Sequence, residues 1–136
     1  MKKQFLIFGG FSGAIAVAFG AMAAHFLESK MQAGLITERD LHAFKTGAEY
    51  QMYHSVVLVI LAFLSEKMES LFIVRAANCF MVGIVLFSGS LYLLSTGALM
   101  GFSDLRWLGP ITPIGGLFFI AGWILLGLAG WRTKKN

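Results

Sequence analysis

Long segments without a charged side chain constrain this protein more than any other feature of its sequence. No charged residue lies between Lys3 and Glu28, and another charge-free stretch runs from Ala76 to Ser103. A helix that crosses the hydrocarbon core of a bilayer needs roughly 20 apolar residues. A backbone in lipid must also satisfy its own hydrogen bonds, which a helix does internally. The sequence therefore predicts membrane-spanning α-helices.

The chain has room for four such helices and little else. Its 136 residues are 57% hydrophobic and 13% charged, and its mean hydropathy is +0.75, which is outside the usual range of soluble domains. We predict an all-α membrane protein with a single domain over residues 1–136. The transmembrane helices are expected in a bundle, at about residues 5–26, 46–64, 74–94 and 112–130. No separate soluble catalytic domain fits.

Two segments allow a second interpretation. Lys2 and Lys3, followed by an apolar run and the small residues 21–23, have the layout of a cleavable signal peptide, which is the alternative to a retained first helix. Residues 37–45 begin with Thr37 and carry an acid three residues later, a pattern typical of a helix start. We interpret them as an amphipathic turn or two on the membrane surface that lead into the second helix, with a solvated loop as the alternative.

The lysine and arginine residues are divided unevenly between the two predicted sides of the membrane. Seven of the eleven lie at the amino terminus, in the second connection and in the carboxyl tail: Lys2, Lys3, Lys67, Arg75, Arg132, Lys134 and Lys135. The first and third connections hold the other four, Lys30, Arg39, Lys45 and Arg106. Because positive charge is retained on the cytoplasmic side, we predict that both termini are cytoplasmic.

The first and fourth helices carry small residues at helical spacing. Such faces let two backbones approach closely, which matters in a membrane because lipid supplies no hydrophobic drive between helices. The small residues are Gly9, Gly13, Ala16, Gly20 and Ala24 in the first helix and Gly115, Gly116 and Gly122 in the fourth. We interpret them as packing within the chain, and the alternative is an interface with a second copy or another membrane protein.

The polar groups of the predicted helices gather in the non-cytoplasmic half of the bilayer. They are His25, Glu49, Tyr50, Gln51, His54, Ser88, Ser90, Tyr92 and Thr112. A carboxylate at membrane depth costs roughly 2.5 to 3.5 kcal/mol, so we expect Glu49 to be shallow, protonated or paired, with His25 as its partner. One interpretation is a polar network that sets helix register, and the other is a binding site open to the outside.

No residue pattern indicates catalysis, a metal or a cofactor. His25 and His54 are offset by more than a turn in depth, which disfavours a bis-histidine haem. Ser88 and Ser90 lack the strand-turn-helix setting of a hydrolase nucleophile, and the single Cys79 provides neither a disulfide nor a thiolate cluster. We expect no enzymatic activity, no cofactor and no metal. The spread of the basic residues also argues against a nucleic-acid partner.

Four segments together are similar to a known family. They are GAMAAHFL at the end of the first helix, TGAEYQMYHS at the start of the second, LFSGSLYLL in the third and TPIGGLFFIAGW in the fourth. In this order, and over nearly the whole chain, they resemble the YgdD-like family of small bacterial inner-membrane proteins, a domain of unknown function. The resemblance implies a four-helix protein of the bacterial inner membrane and brings no established activity.

These observations predict a multi-pass membrane protein that acts by association with itself or with another membrane protein. The lipid bilayer is its expected environment. The alternative is a small-ligand or proton-coupled transport site near the non-cytoplasmic face, formed by His25, Glu49 and His54. A membrane enzyme that acts on lipid or quinone is the least favoured hypothesis, because nucleophile, metal set and cofactor motif are all missing from the sequence.

Overall fold

Four long helices form the fold. The computed structural model describes residues 2–68, 70–102 and 104–132, and in these ranges every regular element is helical. The helices that are long and apolar enough to cross a membrane are α1 (Lys3–Gln32), α2 (Glu38–Lys67), α3 (Leu71–Thr96) and α4 (Arg106–Trp131). The prediction of an all-α chain with four such helices is confirmed. Lys134 and Lys135, counted above in the carboxyl tail, lie outside the described residues.

α1 packs along α2 through a seam of large and small residues. The buried positions recur at three- and four-residue spacings, which keeps them on one helix face: Phe5, Gly9, Ser12, Ala16, Ala23 and Leu27. A Cβ atom on Gly9 would lie 2.9 Å from the Ser55 carbonyl oxygen of α2. A larger residue at position 9 would therefore push the two helices apart.

The small face predicted for α1 is only partly used in this seam. Gly13 is half-buried, and a Cβ atom there would lie 3.7 Å from the Cβ of Ser55. Gly20 and Ala24 are exposed and do not join the seam. The half-buried Phe19 and the buried Ala23 fill it at that level and pack against the first turns of α2.

α2 begins at Glu38, well before the predicted start at residue 46. The hydroxyl oxygen of Thr37 accepts a hydrogen bond from the Asp40 N–H at 3.1 Å, and the Asp40 carboxylate accepts one from the Thr37 N–H at 2.9 Å. This capping box satisfies two amides that would otherwise lack a partner. Residues 38–45 are therefore the first turns of α2, and the alternative of a solvated loop is wrong.

The apolar side of these first turns faces α1. Leu41 and Phe44 are buried in a cluster that includes Leu27 of α1. An ion pair of 3.5 Å between Lys45 Nζ and the Glu28 carboxylate joins the same two helices. The amphipathic turns predicted at residues 37–45 lead directly into α2 and form its amino-terminal part, held to α1 by apolar contacts; their place at the membrane surface stays a prediction.

α3 and α4 interlock by placing aromatic rings over glycines. A Cβ atom on Gly83 of α3 would lie 2.5 Å from the ring of Phe119 on α4. In the opposite direction, a Cβ atom on Gly122 of α4 would lie 2.5 Å from the ring of Phe80 on α3. Each helix therefore supplies one ring and one glycine, and the exchange brings the two backbones close.

The closest approach between α3 and α4 lies at Gly115. A Cβ atom there would meet the backbone nitrogen of Phe87 and would lie 2.8 Å from its Cα. The neighbouring Gly116 is looser, with the Phe87 ring 3.9 Å from the corresponding position. Phe87 belongs to a π-helical turn, Ile84–Ser88, which widens α3 locally where the two helices meet.

Both ends of the described chain meet the turn between α2 and α3. The Lys2 backbone N–H donates to the Ser65 hydroxyl at 3.2 Å, and the Arg132 guanidinium lies 5.0 Å from the centre of the Phe72 ring. Residues 2 and 132 are therefore on the same end of the molecule. This placement agrees with an even number of membrane crossings.

Candidate functional site

A buried polar network connects α1, α2 and α3. The Gln51 amide donates to the Ser12 carbonyl oxygen at 2.9 Å, and its own oxygen accepts a hydrogen bond from the Tyr92 hydroxyl at 2.7 Å. The Ser55 hydroxyl donates to the Gln51 carbonyl oxygen at 2.6 Å and lies 2.8 Å from the Ser12 hydroxyl. Gln51, Ser12 and Ser55 are all buried. Three helices are thus joined by side chains that satisfy one another.

Aromatic rings cover this network. The Tyr92 ring lies 4.7 Å from both the Phe19 ring of α1 and the Phe44 ring of α2, measured between centroids. A Cβ atom on Gly47 would lie 2.9 Å from the Tyr92 ring, so the glycine makes room for the tyrosine. The rings exclude lipid and water, which strengthens the hydrogen bonds beneath them.

His54 forms a second polar contact, separate from the first. Its Nε2 accepts a hydrogen bond from the Trp123 indole N–H at 3.2 Å, and its Nδ1 lies 2.7 Å from the Tyr50 carbonyl oxygen. Because an indole nitrogen only donates, Nε2 carries no proton and Nδ1 donates to the carbonyl. The imidazole also stacks on the Phe119 ring at 3.6 Å, with 5° between the planes. Both nitrogens are occupied within the chain.

Ser90 and Thr112 link α3 to the start of α4. Their hydroxyl oxygens lie 2.7 Å apart, and the Ser90 hydroxyl also contacts the Phe87 carbonyl oxygen at 3.0 Å. Ser88, at the end of the π-helical turn, is completely buried, and its hydroxyl has no hydrogen-bond partner within the described part of the chain. The predicted polar layer is therefore divided among several separate contacts.

The proposed pairing of His25 with Glu49 is not present. Both residues are exposed, and no hydrogen bond or ion pair joins them within residues 2–68. Glu49 lines a groove with Ala16 and Gly20 of α1, at a level of α1 that precedes His25. The ion pair across the first connection is instead formed by Glu28 and Lys45. His25, Glu49 and His54 do not form one site.

Sequence reasoning missed several members of these contacts. Ser12 and Ser55 are central to the first network, and Phe119 and Trp123 hold His54. Ser55 follows Gln51 at a helical spacing of four, and this signal could have placed it on the same face. Apart from the Ser88 hydroxyl, the buried polar side chains of these contacts have hydrogen-bond partners within the described part of the chain. Within the described ranges, no three His, Cys, Asp or Glu side chains converge to hold a metal.

Four apolar helices joined through buried side-chain hydrogen bonds define a multi-pass helical membrane protein. Comparison with known sequences makes the assignment more specific. The family described as a protein of unknown function (DUF423) matches residues 19–116. The chain belongs to this family, and relatives of the chain carry the name UPF0382 membrane protein. The resemblance inferred from the four sequence segments is thus confirmed.

The relatives match the chain over nearly its whole length. The UPF0382 membrane protein YwdK of Bacillus subtilis is 41% identical, over 93% of this chain and 95% of the relative. The UPF0382 inner membrane protein YgdD of Escherichia coli K12 is 37% identical, over 100% and 96%. A UPF0382 membrane protein of Haemophilus influenzae is 37% identical, over 99% of both chains. No solved structure matches the chain.

Proposed function

We propose that this protein has no enzymatic activity and acts by association with a second copy of itself through the membrane-facing groove between α1 and α3. The observation that carries the proposal is the position of Asn78. Its side chain is exposed and makes no hydrogen bond to any residue that the structure describes. It follows Leu71, the first residue of α3, by seven positions, which is about 10 Å along the helix axis.

That depth is unfavourable for a free amide. In hydrocarbon there is no water to bond it, and an unsatisfied polar group there costs several kcal/mol. Two copies related by a twofold axis would bring one Asn78 opposite the other. Each amide would then donate one hydrogen bond and accept one. Asparagine side chains that bond across helices are a known means of association in membranes.

The surface beside Asn78 suits a second helix. A groove of about 690 Å³ lies between α1 and α3. It is lined by Gln4, Ile7, Phe8, Phe11, Ser12, Ile15, Asn78 and Met81. Phe11 and Ile7 are 72% and 58% exposed, so they are available to a partner. The small residues Gly9, Gly115 and Gly122 are already used within the chain, which is why the groove is the better candidate.

The test is the association of full-length protein in lipid vesicles, measured by energy transfer between donor- and acceptor-labelled copies. Asn78→Leu removes the amide and is expected to weaken association roughly five- to thirty-fold, since an interhelical hydrogen bond contributes about 1–2 kcal/mol in model membrane helices. Asn78→Gln keeps an amide and is the matched control, expected to associate nearly as the wild type. Equal association of the leucine variant, or a monomeric wild type, would overturn the proposal.

We also propose that both termini are cytoplasmic. Lys2, Lys67 and Arg132 lie at one end of the molecule. At the other end Arg106 forms an ion pair with Asp104, and its Nε lies 3.1 Å from the carboxylate. The side-chain hydrogen bond from this arginine lowers the pKa of Asp104. By sequence, seven of the eleven lysine and arginine residues belong to the end that holds the termini and four to the other end, and the positive-inside rule assigns the richer end to the cytoplasm.

Thiol labelling of intact cells tests this orientation. In a Cys79→Ala background, Ala33→Cys in the first connection is expected to react with a membrane-impermeant reagent. Glu66→Cys near the second connection is expected to react only after the membrane is permeabilised. Both positions are exposed, so the reagent's access depends on the side of the membrane. The reverse labelling pattern would refute the orientation.

The alternative of a proton-coupled or ligand site receives less support. It needs His25, Glu49 and His54 in one place, and the first two are exposed and separate. His54 already has hydrogen-bond partners at both ring nitrogens. A histidine in that state is held as a structural element.

A further inference from the structure

We propose that a cleft between the α2–α3 turn and the last turn of α4 binds the phosphate-bearing headgroup of an anionic membrane phospholipid. This basic cleft has a volume of about 500 Å³, and its lining includes Lys67, Ser70, Leu71, Phe72 and Arg132. It lies between α3 and α4, whereas the groove proposed for self-association lies between α1 and α3. The two proposals are therefore independent.

The two cations of the basic cleft are unpaired within the described part of the chain: neither Lys67 nor Arg132 forms an ion pair with a residue that the structure describes. Arg132 is held in position by the Phe72 ring, 5.0 Å from the guanidinium carbon to the ring centre, a cation–π contact. Glu66 belongs to the adjoining cleft, together with Lys2. A phosphate diester would supply a negative charge to both cations, and a guanidinium can bind two of its oxygens at once.

Apolar groups beside these cations favour a lipid over a soluble phosphate. Leu71 is 71% exposed at the start of α3, and Trp131 is 86% exposed at the end of α4. Aromatic residues at helix ends mark the level of the lipid headgroups. A phospholipid satisfies both features, because its phosphate reaches the cations and its acyl chains cover the exposed apolar side chains. A free phosphate ion satisfies only the first.

At the opposite end of the molecule, two of the cations already form ion pairs with carboxylates and are not available to a phosphate. Lys45 is bound to Glu28 and Arg106 to Asp104. Lys30 resembles Arg132 in one respect, since its ammonium lies 5.0 Å from the centre of the Phe26 ring. Lys30 lines none of the described clefts, so it provides a matched control for a cation that rests on an aromatic ring without forming a site.

Native mass spectrometry of the full-length protein tests the proposal. The protein, purified in a neutral detergent, is offered phosphatidylglycerol and phosphatidylcholine with the same acyl chains, and separately glycerol 3-phosphate. Phosphatidylglycerol is expected to be retained in preference to phosphatidylcholine. Lys67→Gln and Arg132→Gln are each expected to weaken its binding about five-fold, as loss of one basic group near an anionic headgroup implies. Lys30→Gln is expected to have no effect.

The proposal is overturned by equal retention of the two lipids, by unchanged binding in the double glutamine variant, or by binding of glycerol 3-phosphate as tight as that of the lipid. Circular dichroism verifies that each variant is folded. The double variant with Lys67→Arg and Arg132→Lys keeps both charges and is expected to retain the lipid preference. If it loses that preference while folded, the charge-based site is wrong.

Discussion

Replacement of Gly115 by alanine tests the interlock between α3 and α4 most sharply. The added methyl group would meet the Phe87 backbone nitrogen and would lie 2.8 Å from Phe87 Cα. Carbon atoms in good contact lie about 3.5–4.0 Å apart, so one helix has to move. Gly116→Ala is the matched control, because its methyl group would lie 3.9 Å from the Phe87 ring, which is an ordinary contact.

Two opposing effects set the magnitude. Alanine is favoured over glycine inside a helix by about 1 kcal/mol, and this gain is the same for neighbouring positions of α4. Insertion of a methyl group into a tightly packed interface costs typically about 1–3 kcal/mol. The propensity gain cancels when the two variants are compared, so Gly115→Ala should be less stable than Gly116→Ala by about 1–3 kcal/mol.

The assay is reversible unfolding by sodium dodecyl sulfate in mixed micelles, followed by tryptophan fluorescence and far-ultraviolet circular dichroism. The free energies of unfolding of the two variants are compared at one detergent composition. Gly116→Ala is expected to equal or exceed the wild type, and Gly115→Ala to fall below its neighbour. If the two variants have the same free energy of unfolding, the backbones do not approach at Gly115 as described.

Two further predictions concern the buried hydrogen bonds. Tyr92→Phe removes the donor to Gln51 and should lower the free energy of unfolding by about 0.6 kcal/mol, the average for such bonds in a membrane protein, and by no more than about 1.7 kcal/mol. Tyr53→Phe, at a position that is 57% exposed, should change it little, and equal effects of both would contradict the network. For Ser90 and Thr112, a double-mutant cycle with Ser90→Ala and Thr112→Val should give a coupling energy of about 0.6 kcal/mol, whereas strict additivity would show that the two hydroxyls do not interact.

The helices could be predicted from the sequence because each one follows from the apolar residues of its own segment. Any apolar run of sufficient length must form a helix in lipid, so α1, α3 and α4 follow from composition. The start of α2 was placed too late because the apolar criterion ignores charged turns. The charged residues Glu38 and Asp40 excluded the first turns of α2 from the predicted membrane-spanning segment. The capping box at Thr37 nevertheless begins a helix there.

The polar contacts could be predicted only in part, because depth in the bilayer does not determine partners. Gln51 and Tyr92 were expected in one layer, and they bond at 2.7 Å. His25 and Glu49 were expected to pair because they fall at similar depth. They do not, because α2 begins earlier than predicted: its first turns lie beside Leu27, near His25, whereas Glu49 lies further along, beside Ala16 and Gly20. The contact of Trp123 with His54 depends on the packing of α4, which no local pattern reveals.

The most direct test of association through the groove is disulfide crosslinking in native membranes, in a Cys79→Ala background that keeps Asn78. Val82 is exposed one helical turn beyond Asn78, so under the proposed twofold pairing Val82→Cys is expected to form a covalent dimer under mild oxidation. Ile124→Cys, on the exposed surface of α4, should remain monomeric. Dimers at position 124 but not at position 82 would contradict association through the groove between α1 and α3.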